Sequence, residues 1–497
     1  MDNPTIVSDI TESEKLFPLN QRSVLSWQFV GIIAFVVCLI IATYQVYFEK
    51  SSDMLLIYVL YPVSIALLAL LVYTKKILKY VEAKLMGAFL AWIIIVLFLN
   101  NYRVSNALSS TWFYCTCVTS FICFGLPYAF SSNEIDRLVR IIAVVTVISV
   151  TTLSTIGLIS VFTGWVPPIA IIEQGQFGIM NDGRLHLIWH PNSIAPMCGI
   201  AILVSILLLK REKRWLSKIF LSTSLIICYL ALALTDSRAG ILSLCIALFL
   251  VFFLYSNVIL NKIRKSIYRI TLSVALGLVC AFLVFIGTSV VHKAVSYLLS
   301  ARAVNTISAD SSIEAGTQPQ TDSLSNDKPE IINNPDDSMN IASTRGLSDF
   351  STFNGRIDIW AGVIRGLKEH PDILLTGTTP LKSGEIIGPY FPANAPAGNI
   401  HNSYLGVLVS FGAPGLAILV IFLVMLAKAS IRLSFTKLTN KKTLEVRIIP
   451  AILLLTLAEG MMEVFLFVEW SLNYVWIWFL FSAAIVFRIS RNKDHMA

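Results

Sequence analysis

Residues 270–290 read ITLSVALGLVCAFLVFIGTSV, without one charged side chain, directly behind Lys262, Arg264, Lys265 and Arg269. A helix needs about 20 consecutive apolar residues to cross a bilayer, and this stretch supplies them. A basic cluster at one end is the mark of a cytoplasmic flank. The unit recurs along the chain. Further apolar runs lie near 27–48, 54–74, 85–100, 108–129, 141–164, 192–209, 217–235, 239–258, 403–427, 448–467 and 471–488. These lengths predict an all-α integral membrane protein of about twelve transmembrane helices.

Composition agrees. The 497 residues are 56% hydrophobic and 14% charged, with mean hydropathy +0.74, where a soluble domain carries about 25% charged residues. A larger core cannot account for the deficit, because surface still needs polar cover as chains lengthen. The missing polar surface faces lipid. The net charge of +8 would suggest an anionic partner in a soluble protein, but here the basic residues gather between apolar runs. The charge is therefore read as topology, and nucleic acid is not expected as a partner.

Lys75, Lys76, Lys79 and Lys84 lie in the second connection, and Arg137 and Arg140 in the fourth. Lys210, Arg211, Lys213, Arg214 and Lys218 fill the sixth, and the 262–269 cluster is the eighth. Lys428, Arg432, Lys437, Lys441, Lys442 and Arg447 fill the tenth. Every even connection is basic and every odd one sparse, which predicts both termini in the cytoplasm. Residues 1–26, polar and of mixed charge, are read as a cytoplasmic tail, not a signal peptide; residues 489–497 form the other tail. The eight cysteines all lie in apolar runs and read as small hydrophobes, with no disulfide framework or metal site implied.

Spans one to nine then occupy 27–290 and spans ten to twelve 402–488. Between them, 291–401 is too long for an idle link and is read as one large external loop carrying short surface helices. Its part from 303 to 345 is rich in Ser, Asn, Asp and Thr and is read as a disordered insertion. Residues 353–370, with apolar side chains at helical spacing before His370-Pro371, predict an amphipathic helix on the membrane surface.

The odd connections also hold the polar residues that could carry chemistry. Thr235-Asp236-Ser237-Arg238-Ala239-Gly240 turns the chain between two spans with almost no loop, leaving Arg238 at the interface. It is either an anchor paired to Asp236 or an anion site whose guanidinium fork matches phosphate oxygens. Arg184 precedes His186, His190 and Asn192. The histidines' four-residue spacing would suit a zinc pair on a helix, but Pro191 and the lack of a nearby Cys or carboxylate argue against metal. His401-Asn402-Ser403-Tyr404 opens the tenth span, where a neutral imidazole could take a proton from a sugar hydroxyl or simply cap the helix. Arg356, Asp358 and Trp360 could line the same face. Glu459, Glu463 and Glu469 accompany the eleventh span, Glu459 the deepest, and intramembrane carboxylates are functional suspects. No Walker-type loop and no G-x-S-x-G elbow occur.

Three stretches resemble the bacterial O-antigen ligase and polymerase superfamily: Thr235 to Gly240; Asn354-Gly355-Arg356 through Trp360 to His370-Pro371 and Gly377; and His401 to Leu405, followed by Gly412 and Gly415. Arg184 with His190-Pro191-Asn192 is similar to the family's upstream element. The resemblance covers roughly residues 180–430, and the 303–345 insertion departs from it. It implies a membrane glycosyltransferase, without nucleotide, metal or other cofactor, in the bacterial cytoplasmic (inner) membrane. Its active site would face the periplasm or cell exterior. Such an enzyme takes a glycan from an undecaprenyl-pyrophosphate donor to a glycan or glycolipid acceptor. By that resemblance His401 is the catalytic base and Arg184 and Arg238 bind pyrophosphate. Arg356, His190, Asn192 and Asn402 shape the substrate pocket. A ligase would use lipid A–core as acceptor, whereas a polymerase would join lipid-linked repeat units. A transporter or flippase of lipid-linked sugars shares the helix count, but no internal repeat is present and the polar residues gather at one face.

Overall fold

Apolar runs bounded by Pro, Gly and charge fold into helices in the computed structural model, which describes residues 81–100, 132–165, 177–179, 183–187, 191–260, 266–310, 355–392, 400–435 and 443–463, with positions 66, 69, 73 and 78. In order these are α1 (Val81–Leu99), α2 (Ser132–Thr163), β1 (Phe177–Ile179), β2 (Leu185–Leu187), α3 (Pro191–Arg211), α4 (Trp215–Leu234), α5 (Arg238–Ile259) and α6 (Ser266–Asp310). Then come α7 (Arg356–Glu369), α8 (Ile373–Thr376), α9 (Pro380–Ile387), a 3-10 turn at Gly388–Tyr390, α10 (Ser403–Phe435) and α11 (Thr443–Gly460).

Five of the described helices are long and apolar enough to cross a membrane: Arg140–Thr163, Pro191–Lys210, Trp215–Leu234, Ile267–Leu299 and Ser403–Met425. Shorter apolar helices run over Lys84–Leu99, Arg238–Leu254 and Pro450–Gly460. The chain is a helical membrane protein. The runs at 27–48, 108–129 and 471–488, and nearly all of 54–74, lie outside the described residues, as does 303–345 beyond Asp310. Several helix ends differ from the hydropathy reading, among them α2, which starts at Ser132, and α10, which runs to Phe435. The run placed at 270–290 belongs to a 45-residue helix, because Ala, Val and Leu continue past Val290 with no Gly or Pro to stop them. The run placed at 448–467 ends as a helix at Gly460.

α3 is the hub. It packs against α2, α4, α5 and α11, and 72% of its apolar window is buried, against 11% for α6 on the rim. Large apolar side chains such as Phe282 and Leu283 therefore stay exposed on α6, a face suited to lipid.

Among the described residues, one element departs from the all-helical pattern. β1 and β2 form an antiparallel hairpin pairing Phe177 with Leu187, Gly178 with His186 and Ile179 with Leu185, laid against α2 and α3. Leu185 and Leu187 are fully buried in the main core. Gly157 of α2 makes this possible, since a Cβ there would fall 1.8 Å from Leu187 Cδ2.

The segment after α7 docks on a break in α10. Gly412 takes φ 69° and ψ −179° inside that helix, with Pro414 behind it, and the carbonyls so released find new donors. Thr378 N reaches Val409 O and Thr379 N reaches Ser410 O, both at 2.9 Å, while Trp92 Nε1 reaches Phe411 O at 2.7 Å. Broken helices within a membrane protein need such internal partners.

Candidate functional site

Where α4 meets α5, Thr235 closes the first helix and Asp236 adopts φ 45°, reversing the chain in a few residues. Gly240 lets this turn press on α3, because a Cβ there would lie 2.3 Å from Ala195 Cβ. The turn is thus held beside the start of α3, where Pro191 opens the helix without needing an N–H partner. Arg184 leaves the hairpin just after Gly183, which takes φ 70°, and is buried. Its Nε donates to Thr235 O at 2.8 Å and its Nη2 to Asn192 Oδ1 at 2.6 Å.

Asn192 passes the network on. Its Nδ2 donates to Glu463 Oε1 at 2.7 Å. The same oxygen accepts from Nη2 of Arg356, which is buried at the first turn of α7. The other oxygen, Oε2, lies 3.0 Å from His401 Nδ1. Ser403 Oγ donates to the Glu463 carbonyl at 2.7 Å, and Asn402 Nδ2 to Met461 O at 3.1 Å. Glu463 lies past the last residue of α11. Burial pushes its carboxyl up, but the hydrogen bond with His401 and the Arg356 guanidinium outweigh that and hold it below the usual carboxylate range.

The residues singled out in the sequence fall as follows. Arg184, Asn192, Arg356 and His401 meet in one hydrogen-bonded network. Asn402 adjoins it, and Arg238 opens α5 three residues past Thr235. His190 lies outside the described residues. Three placements are made specific. His186 is on a strand. His401 does not cap α10; it precedes the helix at φ 47°, and Asn402 is the cap, its Oδ1 accepting from Tyr404 N at 2.9 Å and Leu405 N at 3.0 Å. Arg356 spends its charge on Glu463, which makes it a clamp of the site.

The residue that sequence reasoning left unassigned is Glu463. Glu459, ranked above it for depth, is fully buried one turn earlier and accepts from Ser243 Oγ at 2.9 Å. Among the described residues no group of three His, Cys, Asp or Glu side chains gathers to hold a metal ion. The site offers an imidazole backed by a carboxylate, with two arginine-bearing segments beside the start of α3. That set suits proton removal beside a developing anion.

No curated protein matches the chain. The O-antigen ligase family model matches residues 223–420, a stretch that includes Arg238, Arg356, His401 and Asn402 but neither Arg184 and Asn192 nor Glu463. Over residues 223–420 the chain is therefore similar to the O-antigen ligase family.

Proposed function

We propose that this protein transfers a glycan from an undecaprenyl-pyrophosphate donor to an acceptor hydroxyl on the external face of the bacterial cytoplasmic membrane, with both termini in the cytoplasm. The observation that carries the reading is the single network joining Arg184, Asn192, Arg356 and His401 through Glu463. His401 takes the proton of the acceptor hydroxyl. Arg184 and Arg238, from the two segments that meet at Thr235, neutralise the departing pyrophosphate, since fixed cations stabilise charge that grows in the transition state. Nucleotide is not needed, because the donor arrives already activated.

The test incubates purified protein with lipid-linked glycans from the host membrane and candidate acceptors. Glycosylated lipid A–core would mark a ligase, and longer lipid-linked chains a polymerase. His401→Ala is expected to lower transfer by about 10²–10⁴-fold, the usual worth of a general base, with donor binding retained. Unchanged transfer in that variant sinks the assignment.

A further inference from the structure

We infer that Glu463 is the positioning residue of the site: its carboxylate keeps the proton of His401 on Nδ1 and so turns the Nε2 lone pair toward the acceptor hydroxyl. The inference rests on the glycosyl-transfer reading and adds to it a residue outside the family match.

The geometry argues it from both ends of the contact. Glu463 Oε1 receives Asn192 Nδ2 and Arg356 Nη2, groups that only donate. Arg356 is buried, and a buried guanidinium needs an ionised partner. Glu463 is the carboxylate paired with it. An ionised carboxylate can only accept, so the 3.0 Å contact at Oε2 requires the proton on His401 Nδ1. In the neutral ring Nε2, across from Nδ1, then carries the lone pair and points away from Glu463.

The backbone fixes the same arrangement. His401 is held at φ 47° between buried Ile400 and the capping Asn402. Left-handed backbone at a non-glycine residue persists only where its surroundings impose it, and such residues cluster at functional sites. Ser403 Oγ on the Glu463 carbonyl ties the main chain of Glu463 to the segment its side chain serves.

In the reaction the acceptor O–H proton passes to Nε2 while the oxygen bonds to the anomeric carbon of the donor sugar. The bond from that carbon to the phosphate oxygen breaks, and the pyrophosphate leaves with the electron pair. Glu463 stays ionised and stabilises the imidazolium through Nδ1–H, as a carboxylate behind a catalytic histidine does elsewhere.

The experiment uses full-length protein with 15N-labelled histidine, the His401 ring signals being those lost in His401→Ala. The wild type is expected to show the Nδ1–H tautomer. Glu463→Gln, whose amide N–H can donate to Nδ1, is expected to shift His401 to the Nε2–H form. Its kcat on lipid-linked glycans from the host membrane should fall by about 10²–10⁴-fold, as for loss of an orienting carboxylate, while KM for the donor changes far less. Glu463→Asp, which keeps an acceptor, should recover part of kcat. Arg356→Met, which removes the clamp but not the acceptor, should keep the Nδ1–H form. An Nε2–H tautomer in the wild type, or a Glu463→Gln variant with unaltered tautomer and kcat, overturns the inference. If the wild type transfers no glycan, the functional reading falls, and the tautomer comparison still decides the role of Glu463.

Discussion

Between Glu463 and its partners His401, Arg356 and Asn192 lie 62, 107 and 271 residues of chain. Spacings of that size leave no trace in local sequence, so Glu463 reads there as one of three carboxylates beside a span. The arginines and His401 were legible because each sits in a short polar motif at the mouth of an apolar run. The acid response of the site follows from the Glu463 carboxyl. Its pKa is lower in the folded protein than in the unfolded chain, so the folded state binds fewer protons in the window between the two values. Its stabilising contribution is present above about pH 4.3, the ordinary glutamate value, and is lost as pH falls through the lowered folded value. Thermal midpoints of solubilised wild type and Glu463→Gln, measured from neutral pH downward, should converge in acid. Midpoints that stay equally far apart would contradict this role.

A single glycine on α2 decides how the hairpin bearing Arg184 docks. Gly157→Ala places a methyl where Leu187 Cδ2 now lies, at 1.8 Å, and overpacking of this kind costs about 1–3 kcal/mol. The variant should show a lowered thermal midpoint and weakened transfer, since Arg184 sits one residue before β2. Leu187→Ala in the same background should restore part of the midpoint by vacating the space; additive losses in the double variant would contradict the packing argument. The hairpin was readable only in its turn. Asp182-Gly183 between Phe177-Gly178-Ile179 and Leu185-His186-Leu187 is a turn dipeptide between two apolar triplets, but three residues are too few to show a period of two. The break in α10 was likewise visible as Gly412 near Pro414, while the Thr378 and Thr379 donors that make it tolerable come from a separate element.

Among the described residues, hydropathy reads helices well because lipid demands unbroken apolar surface along every spanning segment. It reads helix ends poorly, since nothing in a hydropathy window separates residues inside the bilayer from apolar residues just beyond it. α6 is the clearest case. Its exposed face makes a direct test of lipid contact: Leu283→Arg, at a position 64% exposed, should oppose insertion by about 2.5–3.5 kcal/mol near mid-membrane and lower the membrane-integrated fraction. The same change at a position facing water would leave that fraction unaltered.

The length of α6 reaches further. Its apolar segment of 33 residues rises about 50 Å at 1.5 Å per residue, against a hydrocarbon layer of about 30 Å. Even the steepest common tilt, about 40°, leaves some of it among the headgroups, where Tyr297 and Leu298 stand exposed and where aromatic rings settle. A thicker membrane would cover more of this helix and a thinner one less. How much of this rim helix lies within the hydrocarbon layer therefore depends on bilayer thickness.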